Sequence, residues 1–557
     1  MQTIKLYPSD FIDYQPVFKR SCQLFFFFAS NSAARADMKQ KVKAETVWQL
    51  RKKDLTVYLT GKLAADNFFD LTNFLWDSEQ NGSRKGLLQL VDNFCRMNFF
   101  SGLRFELDPK RISTEVFNWL IANDFHVEKG VFSRRCQYQT ALVLGGGGAR
   151  GAYQIGVWRA LQELKINFSI VTGTSVGALN GGLILLNDLK AASQLWESLS
   201  TDQVLQFPAA TADTHALNLL LRQVRSLTFT ALRENGASTE PLSRLMQKIF
   251  DGKKMLQSKK QLYVCTTRLS DFSEHVYHFK KEQLKTALQW LGASASFYPA
   301  MKATEIAGDF YIDGGYRNNV PVDVAVAKGA TECIVVDVKG PGFTKNYQPP
   351  SNVATISLSS PWTLGSFLVF DPQRSKYNLR LGYLETLKYF QRYTGFWYTF
   401  VKEDFNGLWQ QFCKQLRKQQ HPLWQIIKAP YFWRKLKNAY GKKVSFETAG
   451  LAIAELSGVW LNVLPDEIYQ QEFFITQVKQ ACAGQMGEFN ATLSVAEWLH
   501  LYRERLVAWS DSRLFLSFFQ LKEYPFNFPQ TLLENLAISI VTAEFSKYVF
   551  CEYPEAL

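Results

Sequence analysis

A serine framed by two glycines, in Gly173-Thr174-Ser175-Val176-Gly177, constrains this chain more than any other feature. Before it, Phe168-Ser169-Ile170-Val171 is a short β-prone apolar run. After it, Val176 to Leu186 is rich in small and apolar residues and continues as a helix that tolerates close packing. Strand, tight turn and helix in that order form a nucleophile elbow, in which small neighbours let a serine hydroxyl stand clear of the backbone. Ser175 is therefore the candidate nucleophile, with Gly173, Thr174, Val176 and Gly177 forming its turn.

A second glycine segment precedes the elbow. Ala141-Leu142-Val143-Leu144 is a buried-strand pattern, followed by Gly145 to Gly148, Ala149, Arg150 and Gly151, and then by helical spacing from Ala152 to Leu164. Glycines there let successive N–H groups aim at one point beside the positive end of a helix, which suits an oxyanion. Gly146, Gly148 and Gly151 also satisfy a dinucleotide fingerprint, but that reading needs an acid closing the second strand, where this chain delivers Ser175. No Gly-Lys-Ser or Gly-Lys-Thr follows the glycines, so a nucleoside-triphosphate loop is excluded as well.

The third segment, Asp313-Gly314-Gly315, ends the apolar run Phe310-Tyr311-Ile312 and by itself reads as a tight turn. Taken together, the three resemble the patatin-like phospholipase family, bacterial type, whose signature is G-G-G-x-R-G, G-x-S-x-G and D-G-G/A in that order. The resemblance covers about 140 to 340 and extends to Ala293-Ser294-Ala295-Ser296 with Pro299, and to Asn319-Val320-Pro321-Val322. It implies a three-layer α/β/α domain in which Ser175 is the nucleophile and Asp313 the general base. The oxyanion loop then maps onto Gly146, Gly147, Gly148, Ala149, Arg150 and Gly151, and Gly314 and Gly315 complete the aspartate motif. A Ser/Asp dyad of this kind needs no metal and no organic cofactor. Phospholipids or lysophospholipids are the implied substrates; acyl transfer to another alcohol, or an idle membrane-associated binding protein, are the alternatives. His275 and His278 lie outside the three motifs and read as ordinary strand or loop residues, a third catalytic member being the other reading. Arg150 either buttresses the glycine loop or meets an anionic head group.

Three regions follow: a mixed α/β region at 1–138, the patatin-like α/β domain at 139–340 and a mainly helical region at 341–557. From Arg84 onward the order of elements resembles the second half of an N-acetyltransferase fold, without most of the glycines with which that family binds its cofactor. Asp371-Pro372 and Asn378 to Tyr383 resemble a segment that follows the catalytic domain in some bacterial patatin-like proteins. Charge is concentrated: residues 374–443 hold 15 Lys and Arg against three acids, out of a net charge of +13 for the chain. Aromatics such as Trp397, Trp409, Trp424 and Trp433 crowd the same stretch, a composition suited to an anionic membrane surface. No nucleic-acid motif accompanies it. The eight cysteines show no C-x-x-C pairing, and no run approaches a membrane span or a signal peptide. The expected location is cytoplasmic, peripheral at the inner membrane surface.

Overall fold

A computed structural model describes the chain except for residues 11–17, 26, 44–46, 53–54, 78–82, 109–111, 205–239, 280–283, 300, 486–508, 522–529 and 555–557. Part of the phenylalanine run at 24–29 lies outside the described residues. The chain divides into two compact units, one of Met1–Leu6 with Tyr14–Tyr389 and one of Tyr7–Asp13 with Phe390–Leu557.

The first unit opens with a sheet of β1 (Gln2–Leu6), β2 (Ser21–Gln23), β3 (Val47–Lys52), β4 (Leu55–Leu63), β5 (Phe68–Asp77), β6 (Gly102–Glu106), β7 (His126–Glu128) and β8 (Val131–Arg135). Its order is β1-β3-β4-β5-β6-β8-β7, with β2 also on β5. β5 and β6 run parallel, and helix α2 (Arg84–Met97) makes the crossover between them, α1 (Asn31–Lys43) having come earlier. Ser83 caps α2 by accepting from Gly86 N, and the helix buries Leu87, Leu90, Val91 and Phe94 in the core of this sheet. Helix α3 (Thr114–Ile121) precedes the closing β7–β8 hairpin.

A second sheet carries the three motifs. It comprises β9 (Thr140–Leu144), β10 (Ile170–Thr174), β11 (Gln261–Arg268), β12 (Glu274–His278), β13 (Thr304–Ile306), β14 (Asp309–Asp313), β15 (Glu332–Val336) and β16 (Ala354–Leu358). The order is β13-β14-β11-β10-β9-β15-β16, with β12 also on β11. From β11 through β16 all neighbours are parallel, and β9, β10 and β15 are buried along their whole length, as strands covered on both faces must be. Helices α4 (Ala152–Glu163) and α5 (Val176–Leu186) follow the first two strands; α6 (Leu189–Ser198), α7 (Glu240–Ile249) and α8 (Leu284–Ser294) come later. Gly181 of α5 presses on Val171 and Leu262, whereas the next residues on the same strands, Ile170 and Tyr263, pack with Val324 and Ala325 of the short helix Val322–Ala327. Alternate strand residues thus meet helices on opposite faces, which makes three layers.

The first two sheets are tied by buried polar groups. Glu332, fully buried on β15, accepts from Thr140 Oγ1 at 2.6 Å and pairs with Arg96 of α2 at 3.3 Å. Asn93 of α2 donates to Ser351 O at 2.7 Å.

The unit does not stop at 340. β16 extends the parallel sheet, and helix α9 (Pro372–Tyr389) lies against α4. Their approach is governed by two glycines: a side chain at Gly156 would strike Leu379 O, and one at Gly382 would strike Tyr153 O. Close contact allows Tyr153 to reach Glu385 at 2.7 Å and Tyr383 to reach Glu163 at 2.6 Å.

The second unit is helical, with α10 (Phe405–Lys418), α11 (Leu423–Lys428), α12 (Pro430–Tyr440), α13 (Ala449–Trp460) and longer helices beyond. Several of the aromatics whose composition suits a membrane surface are core residues instead: Tyr398, Trp409, Phe432 and Tyr440 are buried. The buried Glu455 accepts from Phe396 N and Tyr398 N at 2.8 Å each and from the Tyr440 hydroxyl. Lys414, Arg417, Lys418, Lys428, Arg434 and Lys437 remain exposed on α10 to α12, with Arg417 stacked 4.2 Å over the half-exposed Trp424 ring. Among the described residues no helix is long and apolar enough to cross a membrane.

The α4–α9 contact yields the first test. Gly382→Ala forces a methyl group into backbone and is expected to destabilise the protein by about 1–3 kcal/mol. Adding Gly156→Ala should cost less than the sum of the two alone, because both substitutions prise apart one interface. Thermal unfolding of the two single variants and the double variant measures this.

Candidate active site

β11 brings the candidate nucleophile Ser175 and the candidate base Asp313 together. Its residue Cys265 is in register with Thr174, the last residue of β10, and its next residue, Thr266, is in register with Asp313, the last residue of β14. Two strands far apart in sequence therefore end side by side on a shared partner, with Ser175 starting the turn out of one and Asp313 closing the other.

Ser175 has φ 56° and ψ −128°, a left-handed conformation that is strained for a residue with a Cβ. The fold holds it there by close approach of its glycines. A side chain on Gly173 would meet the Gly177 carbonyl, and one on Gly177 would meet the Leu144 carbonyl, so strand and helix can pack this tightly only with glycine at both places. The Ser175 N–H, turned out of the sheet ladder, donates to Ser294 Oγ at 2.9 Å. Thr174 Oγ1 donates to Asn318 O at 2.7 Å and anchors the residue before the serine.

Asp313 is 5 % exposed. The neighbouring Ser175 hydroxyl and the N–H of Gly315, which donates to Asp313 Oδ1 at 2.7 Å, both favour its ionised form. Burial outweighs both of these influences and pushes the carboxyl up to about 6. A carboxylate that titrates there is a stronger base than an ordinary aspartate and is still ionised at neutral pH.

The glycine loop is shaped by side chains that bind its carbonyls. Gln154 Nε2 donates to Gly145 O at 2.7 Å and Asn180 Nδ2 to Gly151 O at 2.9 Å, while Trp196 Nε1 holds Asn180 Oδ1 at 3.0 Å. Of the segment Gly146 to Gly151 expected to supply oxyanion donors, several N–H groups are committed elsewhere. Gly146 N donates to Asn319 O at 3.0 Å, Ala149 N to Phe367 O at 2.8 Å and Arg150 N to Gly147 O at 3.2 Å. In this structure those three N–H groups are bonded to backbone carbonyls and hold the shape of the loop. Gly147 and Gly148 line the cavity beside Ser175 and Asp313. Gly148 has φ +54°, and a side chain there would strike the Phe367 carbonyl. Arg150 takes the buttressing role of its two readings: Nε donates to Gly365 O at 2.8 Å, and Nη1 reaches Val338 O at 3.4 Å and Lys339 O.

The cavity is about 110 Å³ and otherwise almost wholly apolar, with Leu183, Trp196, Leu245, Met246, Phe250 and Phe370 among its walls. An acyl chain fits such a lining, and Asp313 is the only ionisable group among the described residues that line it. His275 and His278 are on β12, stacked on Trp290 at 4.6 Å and on Tyr263 at 4.4 Å, and neither lines the cavity. Ser294, Gln154, Asn180 and Asn318 have no role assigned from the sequence, although the first three are polar residues inside apolar or small-residue stretches, a signal that could have marked them. Each is also buried and bonded to backbone of a motif.

A family model described as patatin-like phospholipase matches residues 142–326. Among curated proteins, the patatin-like phospholipase domain-containing protein ZK370.4 of Caenorhabditis elegans is 29% identical over 269 residues, 46% of this chain and 18% of that protein. Patatin-like phospholipase domain-containing protein 6 of Homo sapiens is 28% identical over 273 residues, again 46% of this chain and 18% of that protein. Lysophospholipase NTE1 of Saccharomyces cerevisiae is 24% identical over 334 residues, 59% of this chain and 18% of its own length. The chain thus aligns with less than a fifth of the length of these relatives.

The raised Asp313 carboxyl has a consequence for stability. Its folded value, about 6, exceeds the ordinary 3.8, so the folded state holds the proton more tightly and stability falls as pH rises between those values. Above pH 7 the buried charge costs the fold about 3 kcal/mol, a cost absent below pH 4. Asp313→Asn is therefore expected to melt higher than the wild type at pH 8 and to lose that advantage towards pH 4; equal melting at pH 8 would contradict the burial penalty.

Proposed function

Because residues 142–326 form a patatin-like phospholipase domain, we propose that this chain is a serine lipid acyl hydrolase cleaving acyl esters of phospholipids or lysophospholipids. One observation carries the reading: a serine at a strained elbow and a buried aspartate with a raised carboxyl share the wall of one apolar cavity. The lysophospholipase name of the yeast relative supports the choice of substrate class.

In the proposed cycle the acyl chain lies in the cavity and the ester carbonyl faces Ser175. Ser175 Oγ attacks the carbonyl carbon as Asp313 takes its proton, and the Gly147 and Gly148 N–H groups receive the oxyanion. Asp313 returns the proton to the departing alcohol, leaving the acyl group on Ser175. Water, deprotonated by Asp313, then attacks the acyl-enzyme; the carboxylic acid leaves, and Ser175 regains its proton. Each well-aimed oxyanion donor contributes about 3 kcal/mol to the barrier reduction. The base works only when ionised, so kcat/KM should rise with pH along a single limb centred near 6.

Fatty-acid release from mixed phospholipid vesicles, followed by mass spectrometry, tests this reading. Ser175→Ala and Asp313→Asn are each expected to lower the rate by at least about a thousandfold. Release that survives Ser175→Ala would overturn the assignment.

Docking on an anionic membrane is the second part of the proposal. The exposed Lys and Arg residues of α10 to α12 support it, each worth about 1 kcal/mol near an anionic surface. Burial of Tyr398, Trp409 and Phe432 narrows the contact to those cations and the half-exposed Trp424 and Trp433. Reversing Lys414, Lys418, Lys428 and Lys437 to Glu should abolish sedimentation with anionic vesicles while leaving hydrolysis of a soluble short-chain ester within twofold. Equal loss of both would argue against docking.

A further inference from the structure

The elbow depends on a residue that lies in none of the three motifs. Ser294 is the last residue of α8 and is fully buried. Its hydroxyl accepts from Ser175 N at 2.9 Å and donates to Cys265 O at 2.6 Å. The bonds meet a specific need. At Cys265 the register of β10 on β11 ends, and at Ser175 the chain turns through its left-handed conformation, which removes the serine N–H from the ladder. A buried N–H left without a partner is costly, and Ser294 satisfies it with an acceptor that is itself pinned to β11.

The same stretch also reaches the base. Two residues on, Ser296 O accepts from Asp313 N at 2.9 Å, while Ala295 and Phe297 line the cavity. One short segment at the end of α8 therefore holds the backbone N–H of both Ser175 and Asp313. There is little slack in this frame, because a side chain on Gly314 would strike the same Cys265 carbonyl that Ser294 binds.

We infer that Ser294 is a positioning residue for the acyl-transfer step: its hydroxyl, bridging the Ser175 N–H and the Cys265 carbonyl, sets the direction in which the Ser175 hydroxyl faces Asp313 and the ester. The inference rests on the reading of Ser175 and Asp313 as nucleophile and base. It assigns Ser294 no contact with substrate. Loss of the hydroxyl therefore acts on turnover and not on substrate binding, since the cavity walls are unchanged.

The test compares full-length wild type with Ser294→Ala, Ser294→Cys, Ala287→Gly and Ser175→Ala. Two readouts are taken: kcat and KM on a soluble short-chain ester, and the rate of covalent labelling by a fluorophosphonate. Ser294→Ala is expected to lower both kcat and the labelling rate by about 10- to 100-fold with KM within twofold, the size of effect that a small misplacement of a reacting group produces. Ser294→Cys, nearly the same size with weaker hydrogen bonds, should lose about tenfold and serves if the alanine variant does not fold. Ala287→Gly loosens the same helix two turns earlier and should melt lower while keeping kcat.

Wild-type kcat and labelling in Ser294→Ala or Ser294→Cys would overturn the inference, and so would an equal fall in kcat for Ala287→Gly, which would mean that any loosening of α8 is enough. Labelling that persists in Ser175→Ala would instead overturn the assignment of the nucleophile, and the inference with it.

Discussion

The site rests on the way β11 divides its pairing. β10 follows it as far as Cys265, and β14 takes up the next residue, Thr266. The consequence is chemical as well as topological: the turn that leaves β10 and the turn that leaves β14 start one residue apart in register, which brings the Ser175 hydroxyl and the Asp313 carboxylate to the wall of one cavity. Helix packing, the glycine loop and the cavity all assemble around that junction. A slip of one residue in either pairing would turn Ser175 or Asp313 to the opposite face of the sheet.

Burial of Asp313 is what gives the proposed pairing of Ser175 with Asp313 its chemical basis. An aspartate in water is a poor base for an alcohol; Asp313, removed from water by more than the neighbouring Ser175 hydroxyl and Gly315 N–H offset, is pushed up to about 6. The fold bears the cost of that charge in the interior of a large sheet, where parallel strands covered on both faces provide a surplus of apolar burial. The glycine loop is held in a complementary way: Gln154 and Asn180 bind two of its carbonyls, the carbonyls of Asn319 and Phe367 take two of its N–H groups, and Gly147 and Gly148 line the cavity.

The helical second unit handles charge differently. Its acids at the centre, above all Glu455, are consumed in tying down loop backbone, and its aromatics fill the core. Cations are left outside on α10 to α12. A composition that read as one basic and aromatic surface is thus sorted by depth, with Arg417 on Trp424 as a remaining point where the two types meet.

Local sequence determined the parts of this protein whose physics is local. A left-handed serine between glycines, a glycine run between strand and helix, and an apolar strand ending in Asp-Gly-Gly each admit few backbone solutions, and the elbow, loop and turn stand where those patterns put them. Three things were decided only by tertiary structure. The loop donors at Gly146 and Ala149 are taken by carbonyls from Asn319 and Phe367, more than 170 residues away in sequence. Arg150 could not be assigned to loop or ligand until the backbone at Val338, Lys339 and Gly365 came within its reach. Helix α9, which the sequence places in the mainly helical region 341–557, is held against α4 by a pair of glycines that no periodicity marks. In each case the partner is distant along the chain, and a hydrogen bond or a close approach exists only once the sheet has brought its two sides together.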